Sequence, residues 1–256
     1  MGKLKADFFL DKEQSAIQKI VNELDSCLLM HTVKKTDPLI EKEISLIQQL
    51  ESNEKFMQNE LNRQYVLWGK AAVATNKKEG LESILAMLLE ALKISIPEYC
   101  ERYIEDYYLS KQDLRIINLI AAVYSNNERF DEAVNIWYPL KNNIDKHCID
   151  KNLLGSYYPN IIYNLSRALY LLNRHDEVVK LCDKGMQVCR DTQYLFYLPF
   201  IAYNKALSLC ELGDKESSEK ICWEVYHTLG LYQRYDEREL IKNIYPNVKG
   251  PAFPGG

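Results

Sequence analysis

Residues 160–189, NIIYNLSRALYLLNRHDEVVKLCDKGMQVC, decide the fold. Ile162, Leu165, Leu169 and Leu172 recur at spacings of three and four, which places one apolar stripe along a helix. Ser166 lies inside that stripe, where its small side chain lets a neighbouring helix come close. Asn173-Arg174-His175-Asp176 then interrupts the run with turn-forming residues, since Asn tolerates the left-handed conformation. Val178, Leu181, Cys182 and Gly185 restart the stripe. Two helices this short cannot bury their own apolar faces, so the pair predicts further pairs stacked on either side.

The flanking chain reads the same way. Ala6 to Leu10 is a lead-in segment, and Asp11 with Gln14 resembles a capping box for a helix through Ile17, Ile20, Val21, Leu24, Cys27 and Leu28. After a polar break at His31 to Lys35, Asp37-Pro38 starts a helix with Ile40, Ile44, Ile47 and Leu50 on its face. Phe56 to Ala74 and Leu81 to Ile94 form the next two helices. Glu98 to Leu109 is a short acidic, tyrosine-rich helix and connector. Leu114 to Ser125 pairs with Phe130 to Lys141, and the polar stretch Asn142 to Pro159 is the longest candidate loop. Tyr194 to Leu212 pairs with Lys215 to Leu229, and a last helix covers Tyr232 to Ile244. No strand pattern appears. Residues 1–249 are therefore expected to form one helical-repeat sensor and dimerisation domain, with 250–256 (GPAFPGG) a disordered tail.

Composition narrows the function classes. A formal net charge of −4 argues against direct nucleic-acid binding, because neutralising phosphates needs a basic face. Eighteen tyrosines suit the walls of a partly wet groove, each combining an apolar ring with a hydroxyl. Seven cysteines, with no C-x-x-C pair, argue against a disulfide framework and for a reducing, cytoplasmic setting. Charges interrupt every apolar window of membrane-span length, so no membrane association is expected. His31, His147, His175 and His227 lack metal-ligand spacing, and no Gly-rich phosphate loop or nucleophile–base pair stands out. Neither a cofactor, a metal nor an enzymatic activity is expected.

The pairs align by their turns. Glu128, Asn173 and Gly213 take one position, 45 and 40 residues apart. Ala133, Val178 and Ser218 follow at a second, and Trp137, Cys182 and Cys222 at a third. This resembles the tetratricopeptide pattern, whose usual period is about 34 residues, with Phe130-Asp131-Glu132-Ala133 the nearest match. The expected fold is all-α, a right-handed α-solenoid of tetratricopeptide-like helix pairs; a helical solenoid of another repeat type is the competing reading.

A narrower resemblance runs through ADFFLDKE (6–13), YYLSKQDLRIINLIA (107–121), YPNIIYNLSRAL (158–169) and LPFIAYNKALSL (198–209). In that order they resemble the tetratricopeptide sensor half of Gram-positive transcriptional regulators with an amino-terminal XRE-type helix-turn-helix, relatives of quorum-sensing peptide receptors. The resemblance implies a solenoid that binds a short linear peptide on its concave face, forms a homodimer and controls a DNA-binding module. The helix-turn-helix is expected before ADFFL, where only Met1 to Lys5 stands, so DNA contact is expected only through a module not in this chain.

Candidate recognition residues follow from the register. Asn118, Tyr163 and Tyr203 share one position on the first helices, and Leu119, Asn164 and Asn204 the next. Asn is a modest helix former, and its carboxamide can pair with a peptide backbone as both donor and acceptor. The resemblance points to the same Asn164 and Asn204. The alternative is that these side chains bond between adjacent helices and only hold the stack. Arg167, one turn after Tyr163, and Arg115, before Asn118, can grip a carboxylate, or each can form a surface ion pair. Tyr170 and Phe200 can form pocket walls or pack in the core. The expected function is therefore a ligand-sensing, peptide- or protein-binding domain of a transcriptional regulator. The alternatives are a protein–protein scaffold without a peptide ligand, and regulated enzyme inhibition or phosphatase action of the kind the resemblance implies for some relatives of peptide receptors.

Overall fold

The computed structural model describes the backbone of residues 2–30, 37–148 and 150–244, and their side chains except those of 2–13, 29–30, 240 and 243–244. The expected break at 31–35 and the expected tail at 250–256 lie outside the described residues. Among those described the chain is all-α. Its elements are α1 (Gly2–Met30), α2 (Asp37–Glu51), α3 (Glu54–Met57), α4 (Glu60–Asn76), α5 (Leu81–Ser95) and a 3-10 helix (Glu101–Asp106). They continue with α6 (Lys111–Asn126), α7 (Phe130–His147), α8 (Lys151–Leu171), α9 (His175–Thr192), α10 (Leu198–Glu211), α11 (Lys215–Leu231) and α12 (Tyr235–Ile244). No helix among the described residues is long and apolar enough to cross a membrane.

The chain forms two compact units. The first holds residues up to 100 together with 115–123. In it α1 packs on α2, α2 on α4, and α4 on α5, around Leu24, Ile47, Leu50, Ala71, Leu88 and Leu92. The second holds residues 101–114 and those from 124 on. There the 3-10 helix packs on α7, and α7 to α12 pack in succession, with α10 also touching α8. At the α8–α9 crossing Gly185 admits close approach: a Cβ added there would lie 2.5 Å from Cγ2 of Ile162.

One turn recurs. Lys78, Glu128, Asn173, Gly213 and Gln233 all have positive φ. Each follows a helix whose last carbonyls are closed by two reversed bonds. In the pair of helices read first, Asn173 N–H donates to the Tyr170 carbonyl at 3.0 Å and Arg174 N–H to the Leu169 carbonyl at 2.9 Å. The same two bonds recur at the other four turns, for example from Glu128 to Ser125 and from Arg129 to Tyr124. This is the left-handed helix stop that satisfies otherwise orphaned carbonyls. Three of the five were aligned from sequence. Lys78 and Gln233 were not, because Lys and Gln carry no turn signal of their own. Behind the aligned turns Ala133, Val178 and Ser218 are fully buried, and so are Trp137, Cys182 and Cys222. Seven free cysteines include four buried ones.

Four boundaries differ from expectation. Residues 6–10 are helical and continuous with α1, so Asp11 sits mid-helix and cannot cap; the segment has no Pro or Gly after Gly2 to delay the start. The helix expected at 56–74 is split, because Asn53 accepts from Phe56 N–H and Asn59 from Leu61 N–H, both at 2.9 Å, and each cap starts a new helix. The expected loop at 142–159 is almost wholly helical: α7 runs to His147, and α8 is capped by Asp150, which accepts from Asn152 N–H at 2.8 Å. Pro159 lies inside α8. An interior proline costs a helix about 3 kcal/mol, offset here by full burial of Tyr158, Ile161 and Ile162 beside it. Finally α10 starts at Leu198 rather than Tyr194, leaving 193–197 as a non-helical turn.

The second unit also carries an acid-sensitive ion pair. Asp145 on α7 accepts from Lys141 at 2.8 Å and from Lys184 on α9 at 2.6 Å. Burial pushes its carboxyl up, but the two ammonium groups outweigh this and hold it below the ordinary carboxylate range. A depressed native pKa contributes stability above the unfolded value of about 3.9 and loses it as pH falls through the native value. Asp145→Asn should therefore flatten the acid limb of the stability–pH profile below about pH 5. Urea titrations at stepped pH measure this, and parallel acid limbs for wild type and variant would contradict it.

Candidate functional site

The site is built where α8, α10 and the 193–197 turn meet in the second unit. Helix periodicity sets Asn160, Tyr163, Asn164, Arg167 and Tyr170 along one flank of α8. Phe200 and Tyr203 stand on the neighbouring α10, and the turn contributes Phe196 and Tyr197. The Tyr163 ring lies 5.9 Å from the rings of both Tyr197 and Phe200. Phe196 lies 5.0 Å from Tyr197 and 6.1 Å from Phe200. These tilted and edge-on arrangements suit aromatic quadrupoles. From the turn before α12, the Arg234 guanidinium covers Phe200 at 5.0 Å while it pairs with Glu237. Phe196, Phe200, Tyr232 and Arg234 line a cavity of about 330 Å³, a size that fits one or two side chains.

A polar chain runs beside the aromatic floor. Asn164 donates from Nδ2 to Asn160 Oδ1 at 2.9 Å, and Asn160 donates in turn to the Tyr197 hydroxyl. Asn164 is half-buried, and its own carbonyl oxygen takes no partner among the described residues. Arg167 is exposed and has no ion-pair or hydrogen-bond partner among them. One acceptor and one cation are thus left on a face otherwise floored by rings.

Not every expected residue joins this site. Asn204 is buried, and its Nδ2 donates to the Tyr163 carbonyl at 3.1 Å and to Ser166 Oγ at 2.8 Å. Its amide hydrogens hold α10 to α8, which is the inter-helix bonding that stood as the alternative to a peptide clamp. The physical reason is Ser166: its small side chain brings α10 close enough that a polar group at 204 is desolvated and must be satisfied locally. Tyr203 is half-buried on α10, and burial pushes its hydroxyl up to about 12. Tyr170 packs edge-on against His175 at 5.3 Å, over the α8–α9 turn, and burial raises its hydroxyl as well.

Arg115 and Asn118 belong to the first unit. Arg115 grips Asp25 with both terminal nitrogens, at 3.2 and 2.9 Å, and lies 5.0 Å over the Trp68 ring. Asp25 also accepts from the Tyr65 hydroxyl at 3.0 Å. The carboxylate that Arg115 holds is therefore the chain's own, the ion pair that stood as the alternative to gripping a ligand. Asn118 is half-buried on α6.

Five residues of the site escaped sequence reading: Asn160, Phe196, Tyr197, Tyr232 and Arg234. The run YLFYLPF at 194–200 carries a visible aromatic excess that marks Phe196 and Tyr197. Nothing local ties Tyr232 and Arg234 to it, since only packing brings the α11–α12 turn beside α10. Among the described residues no group of His, Cys, Asp or Glu is placed to hold a metal ion.

The RNPP family C-terminal domain matches residues 32–248. The apo form of PlcR from Bacillus thuringiensis is similar in structure, with a TM-score of 0.71 over 92% of this chain and 81% of that one, at 16% identity. PlcR in complex with the peptide PapR7 and DNA is similar at a TM-score of 0.69 over 88% and 75%, also at 16% identity. A putative kinesin light chain of Podosopora anserina, built of nearly identical TPR-like repeats, gives 0.56 over 83% and 97% at 14% identity. At such identities the likeness shows the fold, a tetratricopeptide-like helical repeat. No curated protein matches the chain in sequence.

Proposed function

The chain belongs to the RNPP family through its C-terminal domain, and on that premise we propose that it is the peptide-binding regulatory domain of a quorum-sensing regulator. The observation that carries this reading is the pairing of the Asn164–Asn160–Tyr197 chain with the aromatic cavity beside it. The open Asn164 carbonyl accepts from a peptide N–H, which any side chain permits. Tyr163 and Phe200 flank the backbone, the cavity selects a side chain, and Arg167 attracts an acidic group. The PlcR complex, which contains a peptide and DNA, supports the same division of labour between ligand and DNA.

The role is regulatory rather than catalytic. Ligand acts by population shift, favouring one arrangement of the helix pairs and so biasing a DNA-binding module, in a homodimer whose sensor domain spans 1–249. A protein–protein scaffold is the second reading, and the exposed apolar side chains of Leu231 and Tyr235 favour it.

A library of synthetic heptapeptides, affinity-selected and then titrated by calorimetry, tests the proposal. Asn164→Ala and Tyr197→Phe should each weaken the best binder at least tenfold, about 1.4 kcal/mol, while melting temperature stays within a few degrees. A library that yields no binder, or binders indifferent to both substitutions, would sink it.

A further inference from the structure

Gly155 stands inside α8, where glycine weakens a helix relative to alanine, and its own backbone does not require it, since its φ is not positive. Its neighbours supply the reason. A Cβ at 155 would lie 2.3 Å from Cδ2 of Tyr194, 2.8 Å from Oγ1 of Thr192 and 2.9 Å from Cβ of Thr192. We propose that Gly155 is a positioning residue for ligand binding. Its missing side chain lets the 193–197 turn lie against α8, and this places Tyr197 at the head of the Asn160–Asn164 chain. The placement of the turn stands on geometry alone; its effect on a ligand rests on the peptide-binding reading above.

A methyl group at 155 has nowhere to go. Tyr194 is 42% exposed, so its ring by itself is free to swing out into solvent. Thr192 cannot follow. It is the last residue of α9, its Cβ moves only with the backbone, and its hydroxyl donates to the Val188 carbonyl at 2.7 Å. Gln193 comes next and already holds a left-handed φ of 61°, with its side-chain amide donating to the Arg190 carbonyl at 2.6 Å. The clash therefore passes into the backbone of the turn, and the turn carries the floor of the site. Tyr194 at Gly155 and Tyr197 at Asn160 fasten it to α8 at two points roughly 7.5 Å apart, five residues at 1.5 Å each. The Tyr197 hydroxyl accepts from Asn160 Nδ2, so Asn160 Oδ1 faces Asn164 Nδ2 at 2.9 Å and the Asn164 carbonyl oxygen is left for a ligand. Phe196, 5.0 Å from the Tyr197 ring, is a wall of the cavity. A displaced turn moves the polar chain and the cavity wall together.

Hydrogen exchange and heptapeptide titration on the full-length chain test this. Gly155→Ala should quicken exchange over 193–198 by about fivefold or more while α11 keeps its wild-type rates. The same variant should weaken the best heptapeptide by about tenfold. Tyr194→Ala removes the ring without adding a clash and should give the same pattern, which keeps the proposal open to refutation if Gly155→Ala does not fold. Because the two groups compete for one space, the double variant should lose less than the sum of the two single losses. Strictly additive losses overturn the proposal, since they would show that the two positions do not meet. So does exchange that quickens evenly across α8 to α11, which would make Gly155 a packing residue of the whole unit. The two proposals fail separately. If the turn exchanges faster but heptapeptides bind every variant as well as wild type, the positioning role falls and the peptide function stands. If exchange responds selectively but wild type binds no heptapeptide, the placement of the turn stands and the peptide function falls.

Discussion

Trp137→Ala should destabilise the second unit by about 3–5 kcal/mol, the range for truncating a large buried aromatic. Trp137 is 1% exposed on α7, at the position that Cys182 and Cys222 occupy in the following helix pairs. The stack accommodates a small side chain there in α9 and α11, but around Trp137 it has been built to the volume of an indole. Neighbours drawn from several rigid helices relax only partly, so a cavity remains and adds to the lost transfer energy. Urea unfolding followed by helical circular dichroism measures the effect. A loss under about 1 kcal/mol would mean that α7 collapses onto the gap, and that the repeat tolerates a small residue here as it does in the later pairs.

Asn143→Leu should cost about 2–4 kcal/mol through hydrogen bonds rather than volume. Asn143 is 3% exposed, and its Nδ2 donates to the carbonyls of Ile104, Tyr107 and Glu105, at 2.8, 2.7 and 3.3 Å. One side-chain amide thus fastens the 3-10 helix and the residue after it to α7. Leucine has nearly the same size, so packing is retained while the carbonyls lose their donor, and each unsatisfied buried group costs about 1–3 kcal/mol. Hydrogen exchange should quicken selectively over 101–108, alongside the fall in melting temperature. Exchange that quickens evenly across α7 to α12 instead would show that Asn143 supports the whole unit and not this attachment.

Asn143 also shows why part of the fold was not legible in advance. It sits in KNNIDKHCID, a polar stretch that reads locally as a loop. Its polarity serves internal partners 36 to 39 residues away in sequence, and single-stretch patterns carry no information about such partners. Pro159 misleads in the same way, since its local preference against a helix interior is overridden by burial on both sides. The helix pairs themselves were legible because period and turn chemistry are local. Asn173 and Gly213 tolerate positive φ, and the apolar stripes behind them repeat in register.

The candidate site divides along the same line. Tyr163, Asn164 and Arg167 could be grouped in advance because they lie on one flank of one helix, and helical spacing alone sets that. Asn204 occupies the register of Asn164 yet does different work, because Ser166 draws α10 inward and encloses its carboxamide. Arg115 meets Asp25, ninety residues earlier in the chain. Phe196, Tyr232 and Arg234 meet only at the cavity. By itself, then, the sequence determined the all-α repeat, its turns and one polar flank, all consequences of interactions within about five residues. Only the tertiary structure decided which polar groups face outward and which are consumed between helices. That depends on how closely neighbouring helices approach, and the approach is set by side-chain volumes brought together from distant parts of the chain.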